Sequence, residues 1–247
     1  MPWFEMKQTW PAGGGYTSKT IFMKNFSWLL VAVLGLTSCM GTKKYASFVE
    51  QRVPTEQVAA PQHDALVVKA PAAGQTGNQF KQLERSFIPA LVYWGWNSTI
   101  SCELDAGMAA AAVSRGMYQA ADKLNLQDRL AGRQLVVDIR QTPGQFMYVS
   151  KGNVIFLIFA HITSGEESIT PRPTDLVLSY QLLENGAVVA SGEEQLKNTQ
   201  EPLRNLWKSS KKFTWLYLDQ FELEAGRMGE QSLHNILLQL EGDLSRL

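Results

Sequence analysis

Apolar and polar residues alternate over residues 91–104. Val92, Trp94, Trp96, Ile100, Cys102 and Leu104 fall on one face; Tyr93, Asn97, Thr99, Ser101 and Glu103 fall on the other. This period of two predicts a long strand, bent at Gly95. The period then changes. Ala106, Ala109, Ala110, Val113, Met117, Ala120, Ala121 and Leu124 recur at helical spacing behind Asp105, a good N-cap, and their small side chains would let the helix lie close on a sheet. After Gly132, the residues Leu135, Val137 and Ile139 predict a strand, followed by Pro143-Gly144 and another apolar stretch at 146–149. Ser150-Lys151-Gly152-Asn153 reads as a turn, and the unbroken apolar run 154–160 as a strand buried on both faces at the centre of the sheet. Residues 164–174 read as a polar loop. Leu176, Leu178, Tyr180 and Leu182 alternate up to Asn185-Gly186, a strong hairpin signal because both residues tolerate positive φ, and residues 187–196 supply the return strand. From Pro202 the chain reads as helical, with 213–218 ambiguous between helix and strand, and it ends in the stripe Leu233, Ile236, Leu237, Leu240 and Leu244.

These elements predict one α+β domain over residues 80–247, a mixed or antiparallel sheet packed against helices. No repeat at a solenoid or propeller period is present. Residues 39–79, rich in Ala, Pro, Gln and Gly, read as a tether with one short strand candidate at 66–68.

Upstream lies a different pattern. Lys24 precedes an apolar run from Phe26 to Leu36, and the small residues Thr37 and Ser38 follow. That is the layout of a secretory signal, and the run is too short to cross a bilayer, which takes roughly 20 apolar residues. Leu36-Thr37-Ser38-Cys39 resembles the lipobox of bacterial lipoproteins. The resemblance implies that residues 23–38 are a signal peptide and that the Cys39 thiol receives diacylglycerol. It also implies cleavage just before Cys39 and further acylation of the new amino group, palmitate being a typical chain. Two or three acyl chains hold a protein at a membrane far more firmly than one. Residues 1–22 then precede the natural start of the signal at Met23, and we read them as a gene-start artefact. The residue after Cys39 is not acidic, which by resemblance to enterobacterial sorting points to the outer membrane, with the protein facing the periplasm.

Charge narrows the partners. Lys plus Arg and Asp plus Glu number 23 each, so no excess of positive charge is available to follow a phosphate backbone, and nucleic acid is not an expected partner. With Cys39 acylated, Cys102 has no cysteine to pair with, and its place on the apolar face predicts a buried structural thiol. Candidate chemistry is sparse. His63, His161 and His234 are widely separated, with no second ligand at metal-like spacing. Glu166-Glu167 and Glu193-Glu194 are adjacent carboxylates, which point apart in a strand. Asn97-Ser98-Thr99 matches a glycosylation sequon but lies within the predicted strand. No nucleophile elbow, phosphate-binding loop or zinc-binding helix motif occurs.

The expectation is therefore a non-catalytic binding or assembly module without a cofactor. It would sit at the membrane through Cys39 and engage an envelope protein or a lipid. Aromatic residues near the C-terminus, Trp207, Trp215 and Tyr217, are candidates for the partner surface. The order of elements loosely resembles periplasmic auxiliary lipoproteins of ABC transport systems over residues 66–247, which implies an accessory role and transfers no functional residue. Two alternatives stand beside it: a lipid carrier with an apolar cavity, and an anchored hydrolase whose site residues are scattered.

Overall fold

A computed structural model describes residues 40–52, 63–72, 74, 76–205 and 207–244. Cys39, the signal segment 23–38 and residues 1–22 lie outside them. In chain order the elements are α1 (Thr42–Glu50), β1 (Leu66–Lys69), β2 (Gln79–Pro89), β3 (Tyr93–Glu103), α2 (Ala106–Lys123), α3 (Leu126–Leu130), β4 (Gln134–Gln141), β5 (Gln145–Phe156), β6 (His161–Pro171), β7 (Leu176–Glu184), β8 (Ala187–Leu196), β9 (Leu203–Asn205) and α4 (Ser210–Leu244).

The expected α+β class holds, with the strands divided between two sheets. One has the order β1-β4-β7-β8, in which β1 runs parallel to β4 and the other pairs are antiparallel. The second, β2-β3-β5-β6-β9, is antiparallel throughout. The chain passes from the first sheet to the second at residues 142–144 and back at 172–175, where Leu104 N donates to Gly144 O and Arg172 N to Gln145 O. The hairpins β2–β3 and β5–β6 extend away from that junction. Asn185-Gly186 joins β7 to β8, as its sequence predicts.

Helices complete two cores. Leu135, Val137 and Ile139 of β4, with Leu176, Leu178, Tyr180 and Leu182 of β7, pack under α2, α3 and the second half of α4. Ile100 and Cys102 of β3, Phe146 and Tyr148 of β5, and Ile169 of β6 pack under α1 and the first half of α4. At 35 residues α4 is about 52 Å long, which lets one helix cover parts of both sheets. Ala110, Val113, Met117, Ala120 and Ala121 of α2 lie in the core with β4 and β7, as the Ala-rich stripe predicts, and Gly116 of the same helix meets α4. A Cβ on Gly116 would come within 1.9 Å of Gly226 O, and one on Gly229 within 2.1 Å of Val113 O, so the two backbones nearly touch.

Four expectations change. The stretch read as a tether, residues 39–79, contains α1 and β1, whose Tyr45, Val49 and Leu66 are fully buried in the two cores. Residues 79–89, for which no element is predicted, form the edge strand β2. Residues 164–174 are largely strand β6 rather than a loop. Finally, 150–153 do not turn: β5 runs straight through them, with Gly152 opposite Trp96 and Asn153 opposite Gly95. Residues 154–160 are therefore the end of β5 and the hairpin tip, not the centre of the sheet.

Candidate functional site: the uncovered end of the second sheet

The covering helices stop short of the hairpin ends. Met40 O accepts a 2.7 Å hydrogen bond from the buried hydroxyl of Ser98, and from there α1 runs back over the core, with Tyr45 stacked on Tyr148 at 4.3 Å. The first residue of α4, Ser210, donates through its hydroxyl to Glu167, which lies opposite Ser150 on β5, itself opposite Ser98. Tyr148 and Asn205 donate to the same carboxylate at 2.9 and 2.7 Å, fastening β5, β9 and α4 at this level. Burial and the neighbouring carboxylate push the Tyr148 phenol well up, so it stays a neutral donor.

Beyond that row no described residue covers the strands. Residues 86–102 and 152–165 contain no Asp, Glu, Lys or Arg. The pairing of β3 with β5 brings these two stretches, more than 45 residues apart in sequence, side by side, with Phe156 N donating to Val92 O at 2.8 Å. At the β2–β3 tip Leu91 is 87% exposed; at the β5–β6 tip Ile158 and Phe159 are 90% and 98% exposed. Ile88, Val92, Leu157 and Ile162 surround them and are also exposed. On the face continuous with the core, rings form a row across four strands. Phe87 meets Trp94 edge-on at 6.4 Å, Trp94 meets Phe156 at 4.8 Å, and Phe156 meets His161 at 6.5 Å. Trp96 lies across β5 next to them: a Cβ on Gly152 would come within 2.3 Å of its indole, so glycine is required there.

The opposite face is apolar near the tip as well, with Ile88, Tyr93, Ile155 and Ile162, and becomes polar at Asn97, Lys151 and Glu166. The tip thus presents hydrocarbon in every direction rather than along one stripe. The strongest sign of this in the sequence is the absence of charge from both segments. An apolar run such as 154–160 suits a buried strand equally well, and only the structure shows that no described residue lies over it.

The sequence candidates are placed as follows. Trp207 is 94% exposed, in the turn between β9 and α4. Trp215 is half-buried: its Nε1 donates to Phe48 O at 2.8 Å, and the Lys211 ammonium sits 4.6 Å from its ring centre. Tyr217 is buried against Phe146, so the three do not form one surface: Trp207 precedes α4, and the helix turns Trp215 and Tyr217 to different sides. Cys102 is buried and burial pushes its thiol up, as its apolar surroundings predict.

Several of the polar candidates are held in structural contacts. Glu166 pairs with Lys151 at 3.2 Å, while the buried Glu194 accepts from Asn235 and Gln239 at 2.7 and 2.8 Å. His63 Nδ1 accepts from Ala65 N, and His161 and His234 are exposed on β6 and α4. Among the described residues no cluster of three metal-ligating side chains occurs, and no helix is long and apolar enough to cross a membrane. A cleft of about 470 Å³ lies between α2 and α4, lined by charged groups. Arg115 pairs with Glu222 there at 2.6 Å, and Arg52 with Asp219 at 2.7 Å. Compared with protein-family models, curated proteins and solved structures, the chain matches none.

Proposed function

We propose that the chain is a lipid-anchored cell-envelope protein, held at the membrane through Cys39, and that it acts as a non-catalytic binding module whose contact surface is the apolar end of the second sheet. One observation carries this reading: the ends of two hairpins, over 86–102 and 152–165, have no formal charge, continue past their covering helices and leave large apolar side chains exposed. Burying each of those side chains is worth about 1.5–3 kcal/mol. Exposed patches of this kind mark contact surfaces. The lipobox-like segment ending at Cys39 supports the anchor, and the auxiliary-lipoprotein resemblance agrees with an accessory role. In the charged cleft between α2 and α4 the carboxylates of Asp219 and Glu222 are paired with arginines, which favours neither a hydrolase nor an apolar lipid carrier.

Photo-crosslinking in cells tests the contact surface. A photoreactive residue placed at Phe159 is expected to give adducts, whereas one at Gln195, on the edge strand β8, is expected to give few. Equal labelling at the two positions would remove the contact-surface reading. Mass spectrometry of the N-terminal peptide tests the anchor independently, since a free thiol on Cys39 would exclude it.

A further inference from the structure

We infer that the apolar hairpin tips insert into the surface of an anionic lipid bilayer, as a second attachment beside the acyl chains on Cys39. The inference rests on the contact-surface reading above and names what that surface meets.

Three observations point to lipid. The first is stratification. The tips are pure hydrocarbon: Leu91, Val92, Leu157, Ile158 and Phe159. Behind them comes an aromatic band of Tyr93, Trp94 and Trp96, and behind that the charged row of Arg85, Lys151 and Glu166. Hydrocarbon, amphipathic rings and charges follow the same order across a membrane surface, from acyl chains through the interface to the headgroups. Since apolar side chains face every direction around the tips, the surface suits a medium that surrounds the tips on all sides better than one face of a protein partner.

The second is where the anchor enters. Met40, next in the chain to Cys39, is fastened to Ser98 at the base of the uncovered end. From Ser98 to Val92 is six residues of strand, about 20 Å, comparable to the depth of headgroups plus part of one leaflet. An anchor at that level puts the tips within reach of the bilayer that holds it.

The third is a basic collar at the same level. Lys43 and Lys44 are exposed in the first turn of α1. Asn205, opposite Glu167, closes the turn that carries Trp207 and Lys208, donating to Lys208 O at 2.7 Å and accepting from Lys208 N at 2.8 Å. Lys211 and Lys212 follow in the first turn of α4. The acidic residues here are Glu84, Glu166 and Glu167. Glu166 is paired with Lys151, and Glu167 holds Tyr148, Asn205 and Ser210. Positive charge therefore predominates at headgroup depth, where Lys and Arg are attracted to an anionic surface.

Length decides how far the tips go. From Lys151 to Phe156 is five residues, about 17 Å of strand, short of the roughly 25 Å apolar band of a membrane barrel. The outer edges of β2 and of the distal half of β6 also face away from the sheet, and unpaired backbone groups are costly in hydrocarbon. Insertion is therefore shallow, about 10 Å, with the turns in the acyl region and the strand edges at the interface.

The test uses the full lipidated protein carrying Ile158→Cys, labelled with an environment-sensitive dye, with Ala187→Cys on the β7–β8 hairpin as the comparison site. Both side chains are exposed, and Cys102 is buried. In phosphatidylcholine–phosphatidylglycerol vesicles with brominated acyl chains, the dye at 158 should brighten and be quenched by bromine several-fold more than the dye at 187. Adding Leu91→Asp and Phe159→Asp should abolish that quenching while the protein stays on the vesicles through its anchor. Quenching should be stronger in these vesicles than in phosphatidylcholine alone, and changing Lys43, Lys44, Lys208 and Lys212 to Gln should remove that difference. A dye at 158 that brightens without bromine quenching would overturn the lipid assignment and leave a second copy or a protein partner as the occupant. A dye that reports water in vesicles and in cell membranes alike would overturn both this inference and the contact-surface reading.

Discussion

Asp105 accepts from the backbone N–H groups of Gly74, Thr76, Gly77 and Gly107 and from the Thr76 hydroxyl, all at 2.9–3.2 Å. One carboxylate thus caps α2 and fixes the loop before β2. Burial raises its pKa, but the hydrogen bonds from Gly74, Thr76 and Gly77 outweigh it and hold the group below the usual carboxylate range. The folded state then binds the proton less tightly than the unfolded chain. Its stabilisation is complete above the unfolded value of about 4 and is lost as pH falls through the lower folded value. Asp105→Asn is expected to cost about 1–3 kcal/mol at neutral pH. In denaturant titrations the gap between variant and wild type should narrow below about pH 4, and a constant gap would show that charge is not what the loop recognises. Thiol counting supplies a second check at this scale. Buried Cys102 should resist maleimide in the native protein, and the denatured mature chain should show one reactive thiol, not two, where Cys39 is acylated.

Where α2 crosses α4, Gly116 and Gly229 set how near two helices can come. Gly116→Ala would place a Cβ 1.9 Å from a carbonyl oxygen that cannot move without its helix, so a loss of about 3 kcal/mol or more is expected. Gly144→Ala, whose nearest contact is an ordinary 3.6 Å, should change stability by less than about 1 kcal/mol. Thermal unfolding followed by circular dichroism compares the two. The same crossing shows how sequence patterns succeed and fail. The Ala-rich stripe of α2 was legible as a surface that packs on a sheet, but the crossing with α4 was not, because Gly116 and Gly229 carry no hydrophobic signal. Strands β3, β4, β7 and β8 were legible, since strands with one buried face, or a turn as specific as Asn185-Gly186, leave a strong local signal. Strand β2 was not: it is an edge strand with Lys81, Glu84 and Arg85 exposed along it. Helix α1 was hidden by its length of nine residues and its two buried side chains, Tyr45 and Val49. The candidate site was half legible. Its lack of charge is written in 86–102 and 152–165, but their adjacency arises only when β3 pairs with β5, and local patterns do not encode that register.

Across the whole molecule, α4 is the element that joins the two sheets. Phe213, Tyr217 and Phe221 lie in the core under the hairpin-bearing sheet; Leu233, Ile236, Leu237 and Leu240 lie in the other. A break anywhere along this helix would remove part of the cover of one sheet and the continuity that links it to the other. The two cores should therefore unfold together although each has its own set of contacts. Phe213→Ala is expected to cost about 3–5 kcal/mol and Leu237→Ala about 2–5 kcal/mol. The informative readout is tryptophan emission, because Trp94, Trp96 and Trp215 all belong to the end that carries Phe213. If the helix couples the cores, Leu237→Ala, far from these indoles, lowers the emission midpoint as much as it lowers the far-ultraviolet midpoint. An emission midpoint that stays at the wild-type value while helicity melts early would mean that the hairpin-bearing sheet stands by itself. Coupling matters for the proposed membrane contact: hairpins built into a cooperative body hold the tips at a fixed height relative to residue 40, whereas a separately melting sheet would let that height vary.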